Sequence, residues 1–273
     1  VGLGVVERLL ELGYNVSIVD FNAQAGTEVT KRLGSKTLFT KANVINYEEQ
    51  ASAFAATFAK WGRIDFVYAN AGIGDRIDFT APAKEFLSNG APVKPDTLVV
   101  DICLNGCIWS AYLALHYFRS NPDGVGKIAM TSSMCGIYVG ESIPLYTAAK
   151  HGVVGLTRAM GRKLKAAGVP VTVNCVCPGL VPTPLVGTMP QVCPPDFITP
   201  ISTVVKAIEG FLSDSSVTGQ AAECSGENIY YRPMHEYSDK GMHYAASTRE
   251  GRANIWQRRS SSCPGRMREL RGG

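Results

Sequence analysis

Val16-Ser-Ile-Val-Asp-Phe-Asn-Ala-Gln-Ala-Gly-Thr-Glu-Val-Thr-Lys-Arg-Leu-Gly-Ser-Lys-Thr-Leu-Phe-Thr40 carries the fold in one reading. A short β-branched run ends at Asp20, residues 25–33 read as a helix, and Thr37–Thr40 reads as the next strand. Strand, helix and strand within so few residues define a βαβ unit, which requires two parallel strands joined by a crossover. Outward from it the alternation continues. A helical stretch precedes Val16 and ends at Gly13, Glu48–Trp61 has apolar residues at helical spacing, and Asp65-Phe-Val-Tyr-Ala69 is a strand. Residues 74–95, with Pro82, Gly90, Pro92 and Pro95, read as an irregular insertion.

Residues 97–119 have the apolar density of a buried helix, and Lys127–Thr131 is strand-like. A helix over 145–165, a strand over Val171–Val176, a helix over 202–212 and a final strand at Gln220–Cys224 complete the pattern. The expectation is a doubly wound parallel α/β domain of the Rossmann type spanning 1–248. Ligands of such sheets sit at the carboxyl ends of the strands. Asp20, Asn43, Asn70, Ser133 and Pro178-Gly179 all fall at that edge.

The chain has 273 residues, 45% hydrophobic and 18% charged, which suits one large core. No apolar run is expected to reach the ~20 residues that span a bilayer, and Val1 opens no signal-like segment, so the reading is cytoplasmic with no membrane partner. The net charge of +4 is local: residues 249–273 hold seven Arg against two Glu. The body is therefore not basic, nucleic acid is not expected as a partner, and the tail reads as disordered. Eight dispersed Cys read as reduced thiols, and the four His form no metal-ligand spacing, so no metal site is assigned.

Tyr146-Thr-Ala-Ala-Lys150 places a phenol and an ammonium one turn apart on a helix, with Ser133 upstream. A free Tyr has a pKa of about 10, and a nearby cation lowers it by ~1–3 units, which would make the phenolate available as a base. With 11 Tyr and 12 Lys in 273 residues, chance supplies roughly half such a pair, so the neighbours must carry the weight.

Those neighbours occur in a fixed order: Val-Gly-Leu-Gly4, Asp20, Asn70-Ala-Gly72, Ser133, Tyr146-x3-Lys150 and Pro178-Gly-Leu-Val-Pro-Thr183. In this order the chain resembles the short-chain dehydrogenase/reductase family from residue 1 to about 235, with weaker similarity near Glu223–Tyr231 to the 15-hydroxyprostaglandin dehydrogenase-like and fungal polyketide-alcohol dehydrogenase branch. The resemblance implies a nicotinamide cofactor and hydride exchange at a carbonyl or secondary alcohol. It makes Tyr146 the acid/base, Ser133 a hydrogen-bond donor to the substrate oxygen, and Lys150 both the modulator of Tyr146 and a ligand of the nicotinamide ribose. Asp20 would bind the adenosine ribose and repel a 2′-phosphate, favouring NAD over NADP. Gly2, Asn43, Val44, Asn70, Ala71, Gly72, Pro178, Gly179, Val181 and Thr183 would line the rest of the cofactor site.

Two departures from the family pattern follow. Cys103 stands where the family has an Asn, and Asn105 would point about 200° away from it on a regular helix. The family's Thr-Gly-x3-Gly-x-Gly follows a first strand, whereas this sequence opens near the end of that motif, so the expectation is a truncated chain with its first strand upstream. Residues 184–200, rich in Pro and apolar side chains, imply with Tyr138 and Ile143 an apolar substrate bearing one hydroxyl or ketone. The family also implies a homodimer or homotetramer through helices 97–119 and 145–165. The alternative function is a non-catalytic relic or binding scaffold of the same fold.

Overall fold

The computed structural model describes residues 1–247, and the basic tail expected over 249–273 lies outside the described residues. Val1–Pro233 forms one compact unit and Met234–Gly273 a second, in which the described part holds the helix Lys240–Ser247.

The opening βαβ unit forms as read. Strand β1 (Val16–Asp20) leads through helix α2 (Ala23–Leu33) to β2 (Thr37–Lys41), preceded by α1 (Gly2–Glu11). Asn22 caps α2 by accepting the Ala25 N–H at 3.0 Å, and Gly34, at φ +86°, ends it in a conformation that side chains resist. Gly26 lets the helix lie on Phe39 of β2, since a Cβ there would meet the ring at 2.0 Å. Helix α3 (Tyr47–Trp61) and strand β3 (Phe66–Ala69) follow.

Helix α4 (Leu98–Phe118) contains one wide turn at Asp101–Asn105, where the Gly106 N–H donates to the Asp101 carbonyl five residues back. Contrary to the sequence reading, this helix is long and apolar enough to cross a membrane by length and composition. Its place in the fold explains its composition: Cys107, Ala111, Ala114 and Phe118 are buried in the core with Ile128 and Met130 of β4 (Gly126–Thr131). Helix α5 (Pro144–Ala166), strand β5 (Val171–Pro178), helix α6 (Ile201–Ser213) and strand β6 (Ala221–Ser225) complete the alternation. Every residue of β5 is buried, which is why it reads as a nearly continuous apolar run. Of its two polar residues, Thr172 and Asn174, the latter donates to the Val217 carbonyl at 2.9 Å and accepts the Gln220 N–H at 3.0 Å.

The sheet does not end at β6. Strand β7 (Asn228–Arg232) turns back antiparallel against it, closing the parallel order β3-β4-β5-β6 with a reversed edge. It escaped the sequence reading because only Ile229 and Arg232 are shielded, leaving no clean alternation.

The parallel strands occur in two separate sheets. Among the described residues, β1 pairs with β2 alone, and β3 begins the other sheet by pairing with β4. Between the free edges of β1 and β3 lies a cavity of about 660 Å³. Both strands line it, and Val5 and Leu9 of α1, Ala53 and Phe54 of α3, and Cys107 and Ser110 of α4 also face it.

Candidate active site

The redox constellation assembles at the carboxyl ends of β3, β4 and β5. Ser132 and Ser133 leave β4 beside β5, with the Ser132 N–H donating to the Val176 carbonyl at 2.8 Å. Ser133 is buried, and its Oγ accepts the Cys135 N–H at 3.2 Å, capping a single tight turn at Met134–Gly136. The same hydroxyl faces the Tyr146 phenol closely enough to draw its pKa down.

Lys150 is 2% exposed, and its ammonium donates to the Thr131 carbonyl at 2.8 Å. Its Nζ stands 5.4 Å from the centre of the Tyr146 ring. The backbone of Lys150 is held too, its carbonyl accepting the Ser132 hydroxyl at 2.8 Å. The three residues singled out by spacing therefore meet. The expected lowering of the phenol pKa does not hold in sum. Burial pushes Tyr146 up, the Lys150 charge and the Ser133 hydroxyl pull it down, and burial prevails.

Asn70 joins this cluster to the cofactor edge. Its Oδ1 accepts the Thr131 hydroxyl at 2.9 Å, while a Cβ on Gly2 would lie 3.0 Å from its Nδ2. Gly72 lies between Cys103 and Lys150, where a Cβ would make ordinary contact at 3.5 Å with both Cys103 Sγ and Lys150 Nζ. Cys103 is fully buried in the wide turn of α4, and its thiol donates to the Ile73 carbonyl at 3.5 Å. Asn105 turns elsewhere and donates to Asp101 at 2.8 Å, as the helix geometry requires.

The other cofactor positions divide. Gly2, Asp20, Val44, Asn70 and Ala71 all line the cavity between β1 and β3. Asp20 is exposed at the end of β1, and its Oδ1 accepts the Asn22 N–H at 2.9 Å. Asn43 serves its own turn: its Oδ1 accepts the Ile45 N–H at 3.3 Å, and Glu49 accepts its backbone N–H. Pro178 ends β5 opposite Cys224, and the Gly179 N–H donates to the Cys224 carbonyl at 2.9 Å. Val181 is 5% exposed and belongs to the core cluster that includes Val5, Leu9 and Val204. Thr183 is half-buried just before the turn Pro184–Val186.

Several contributors gave no signal in the sequence. Thr131 receives Lys150 through its carbonyl and reaches Asn70 through its hydroxyl, a double role set by strand register. Gln50, 3% exposed, donates to the Val44 carbonyl at 2.7 Å and accepts the Ser110 hydroxyl at 2.8 Å, fixing the loop at Asn43–Val44 to α4. Lys41 lies in register beside Asp20, so a cation stands on the strand next to the carboxylate. Asp75 accepts two backbone N–H groups at the start of α5.

A sheet whose carboxyl edge gathers a phenol, a hydroxyl and a buried ammonium around small-residue turns is the arrangement of a dinucleotide-dependent oxidoreductase. The model of the short chain dehydrogenase family matches residues 1–192, and the chain belongs to that family. Among its relatives is the short-chain dehydrogenase/reductase prx7 of Penicillium rubens, 34% identical over 88% of this chain and 93% of the relative. The prx6 protein of the same fungus is 34% identical over 86% of this chain and 80% of its own length. Bovine (Bos taurus) 15-hydroxyprostaglandin dehydrogenase [NAD(+)] is 31% identical over 68% of this chain and 65% of its own length.

Proposed function

We propose that this short-chain dehydrogenase/reductase exchanges a hydride between NAD(H) and an apolar secondary alcohol or ketone, with Tyr146 moving the proton. The observation that carries the reading is the convergence of Ser133 and Lys150 on the Tyr146 phenol, where both draw its pKa down and the Lys150 ammonium stands 5.4 Å from the ring. The chain has the features a dinucleotide requires. Gly2 packs closely on Asn70, where a Cβ would come within 3.0 Å of Nδ2, and an exposed carboxylate at Asp20 ends β1. Asp20, Asn43 and Val44 would hold the adenosine, the N-terminus of α1 at Gly2 the phosphates, and Asn70–Gly72, Lys150, Pro178–Gly179, Val181 and Thr183 the nicotinamide end. NAD(H), when bound, supplies the hydride acceptor or donor.

The protein's own part is proton handling and charge stabilisation. Ser133 donates to the substrate oxygen, and Tyr146 Oη takes the hydroxyl proton in one direction and returns it in the other. Lys150 favours the phenolate when it forms. Because burial holds Tyr146 above its ordinary pKa, the neutral phenol predominates at neutral pH, which suits proton donation to a carbonyl. Apolar substrate preference is supported by Leu185, Met189 and Phe197, which are about half to 70% exposed on the segment after Thr183. NAD over NADP rests on the Asp20 charge and on the NAD(+) in the bovine relative's name.

We further infer a parallel strand between β1 and β3 in the working fold, supported by the two facing edges and the cavity between them. A homodimer or homotetramer through α4 and α5 is in keeping with the exposed Ile108 and Tyr112 on α4. Tyr146→Phe tests the central reading: turnover should fall ~10²–10⁴-fold with NADH affinity nearly unchanged. Retained turnover removes Tyr146 from its role. A chain that binds no NADH in fluorescence titration, with the slot between β1 and β3 filled, favours the scaffold instead.

A further inference from the structure

The helix that carries Tyr146 begins without a local cap. Ile143, which precedes it, offers no capping side chain, and Pro144 has no N–H. The first turn of a helix leaves its N–H groups without helical partners. Here the partner comes from 70 residues earlier in the chain: the Leu145 N–H donates to Asp75 Oδ2 at 3.0 Å, and the Tyr146 N–H to Asp75 Oδ1 at 2.5 Å. A carboxylate at this end also complements the positive pole of the helix dipole. One of the two amides it holds belongs to Tyr146 itself.

Asp75 is also the end of a short, well-anchored path. Asn70, at its start, accepts the Thr131 hydroxyl, and Ile73 accepts the Cys103 thiol. Gly72 passes between Cys103 and Lys150. Immediately after Asp75, Arg76 pairs with Asp96 at 2.9 Å. The segment that turns past the cofactor edge at Asn70–Gly72 therefore ends by gripping the first turn of the acid/base helix.

We propose that Asp75 is a positioning residue of the redox site: by clamping the first turn of α5 to the Asn70–Gly72 segment, it keeps Tyr146 facing Ser133 and beside Lys150. What Tyr146 does chemically rests on the dehydrogenase reading above; the placement does not. In the Asp75→Ala variant the first turn loses both acceptors and Tyr146 is free to drift. Asp75→Asn keeps a short acceptor at the same place, and Asn caps helices about as well as Asp.

The full chain is compared as wild type, Asp75→Ala and Asp75→Asn, by steady-state kinetics with an apolar secondary alcohol and NAD. The Tyr146 ring is followed by ¹³Cζ-tyrosine NMR, its signal assigned by its loss in Tyr146→Phe. Asp75→Ala should lower kcat at least tenfold with KM and NADH affinity within threefold, and raise the Tyr146 titration midpoint by at least half a pH unit. Asp75→Asn should stay within threefold of wild-type kcat. If Asp75→Ala does not fold, Asp75→Leu, which keeps side-chain bulk but offers no acceptor, carries the same expected loss of kcat. A wild type with no turnover would defeat the dehydrogenase reading, while the NMR titration would still decide the clamp. Loss of thermal stability with kcat and the Tyr146 titration unmoved would overturn the proposal, as would Asn impaired as severely as Ala.

Discussion

An apolar peptide able to form a strand, offered to the protein in solution, should seat between β1 and β3 and stabilise it. The cavity there measures about 660 Å³. At about 24 cal/mol per Å³, an empty apolar cavity of that volume would cost up to about 16 kcal/mol, comparable to the ~5–15 kcal/mol stability of a whole domain. That figure is an upper bound, because the coefficient comes from closed cavities. Among the described residues, β1 and β3 also face that space with edges that no other strand pairs. A seven-residue peptide rich in Val, Ile and Ala, with terminal lysines for solubility, should therefore bind. At a hundred times its Kd it stabilises the fold by about 2.7 kcal/mol, whatever that Kd is. For a unit of this size, with ~2–4 °C per kcal/mol, the melting temperature should rise by about 5–11 °C. Scanning fluorimetry reads the shift, and a peptide with a central Pro, which removes a ladder N–H, is the control. No shift at millimolar peptide, or an equal shift with the Pro control, would refute the strand slot.

Alcohol oxidation should accelerate as pH rises into the alkaline range, because it needs the Tyr146 phenolate and burial holds that pKa up; carbonyl reduction should instead be level near neutrality and fall at high pH. Initial rates in both directions across pH check this, and a falling oxidation rate above neutrality would contradict it. Asp20→Ala should shift the NADP/NAD preference toward NADP by about tenfold, read as a ratio of kcat/KM, since one charge near the 2′-phosphate is removed while Lys41 remains beside it. Gly26→Ala should cost ~1–3 kcal/mol in a urea melt, because the new methyl must displace the Phe39 ring.

The sequence revealed those features that depend on short-range pattern. The βαβ unit from Val16 was legible because strand and helix periods are local, and Tyr146, Lys150 and Ser133 because helix pitch and strand ends set their spacing. What escaped depended on register or distance. Thr131 and Lys41 act through neighbouring strands, and Asp75 caps a helix far along the chain, which no local cap signal announces. Strand β7 is an edge with little buried pattern. The composition of α4 looked like ordinary core in the sequence, yet the same residues would also suit a bilayer, and only their packing on β4 assigns them to the core. The sign of the Tyr146 shift was missed because a one-dimensional reading counts neighbouring charges and omits the desolvation that opposes them.

The ion pair between Arg76 and Asp96 closes the neck of the long insertion, and the Leu98 N–H donates to the same Asp96 at 2.9 Å as α4 begins. Everything between that neck forms its own small excursion, with Leu87 and Ala91 bonded across a turn and Phe79 and Phe86 about 60% exposed. The insertion is thus tied off at its base. Its length and sequence can change in evolution or by design while the chain re-enters α4 at the same point, so new recognition surfaces can be grafted there without redrawing the redox centre behind them.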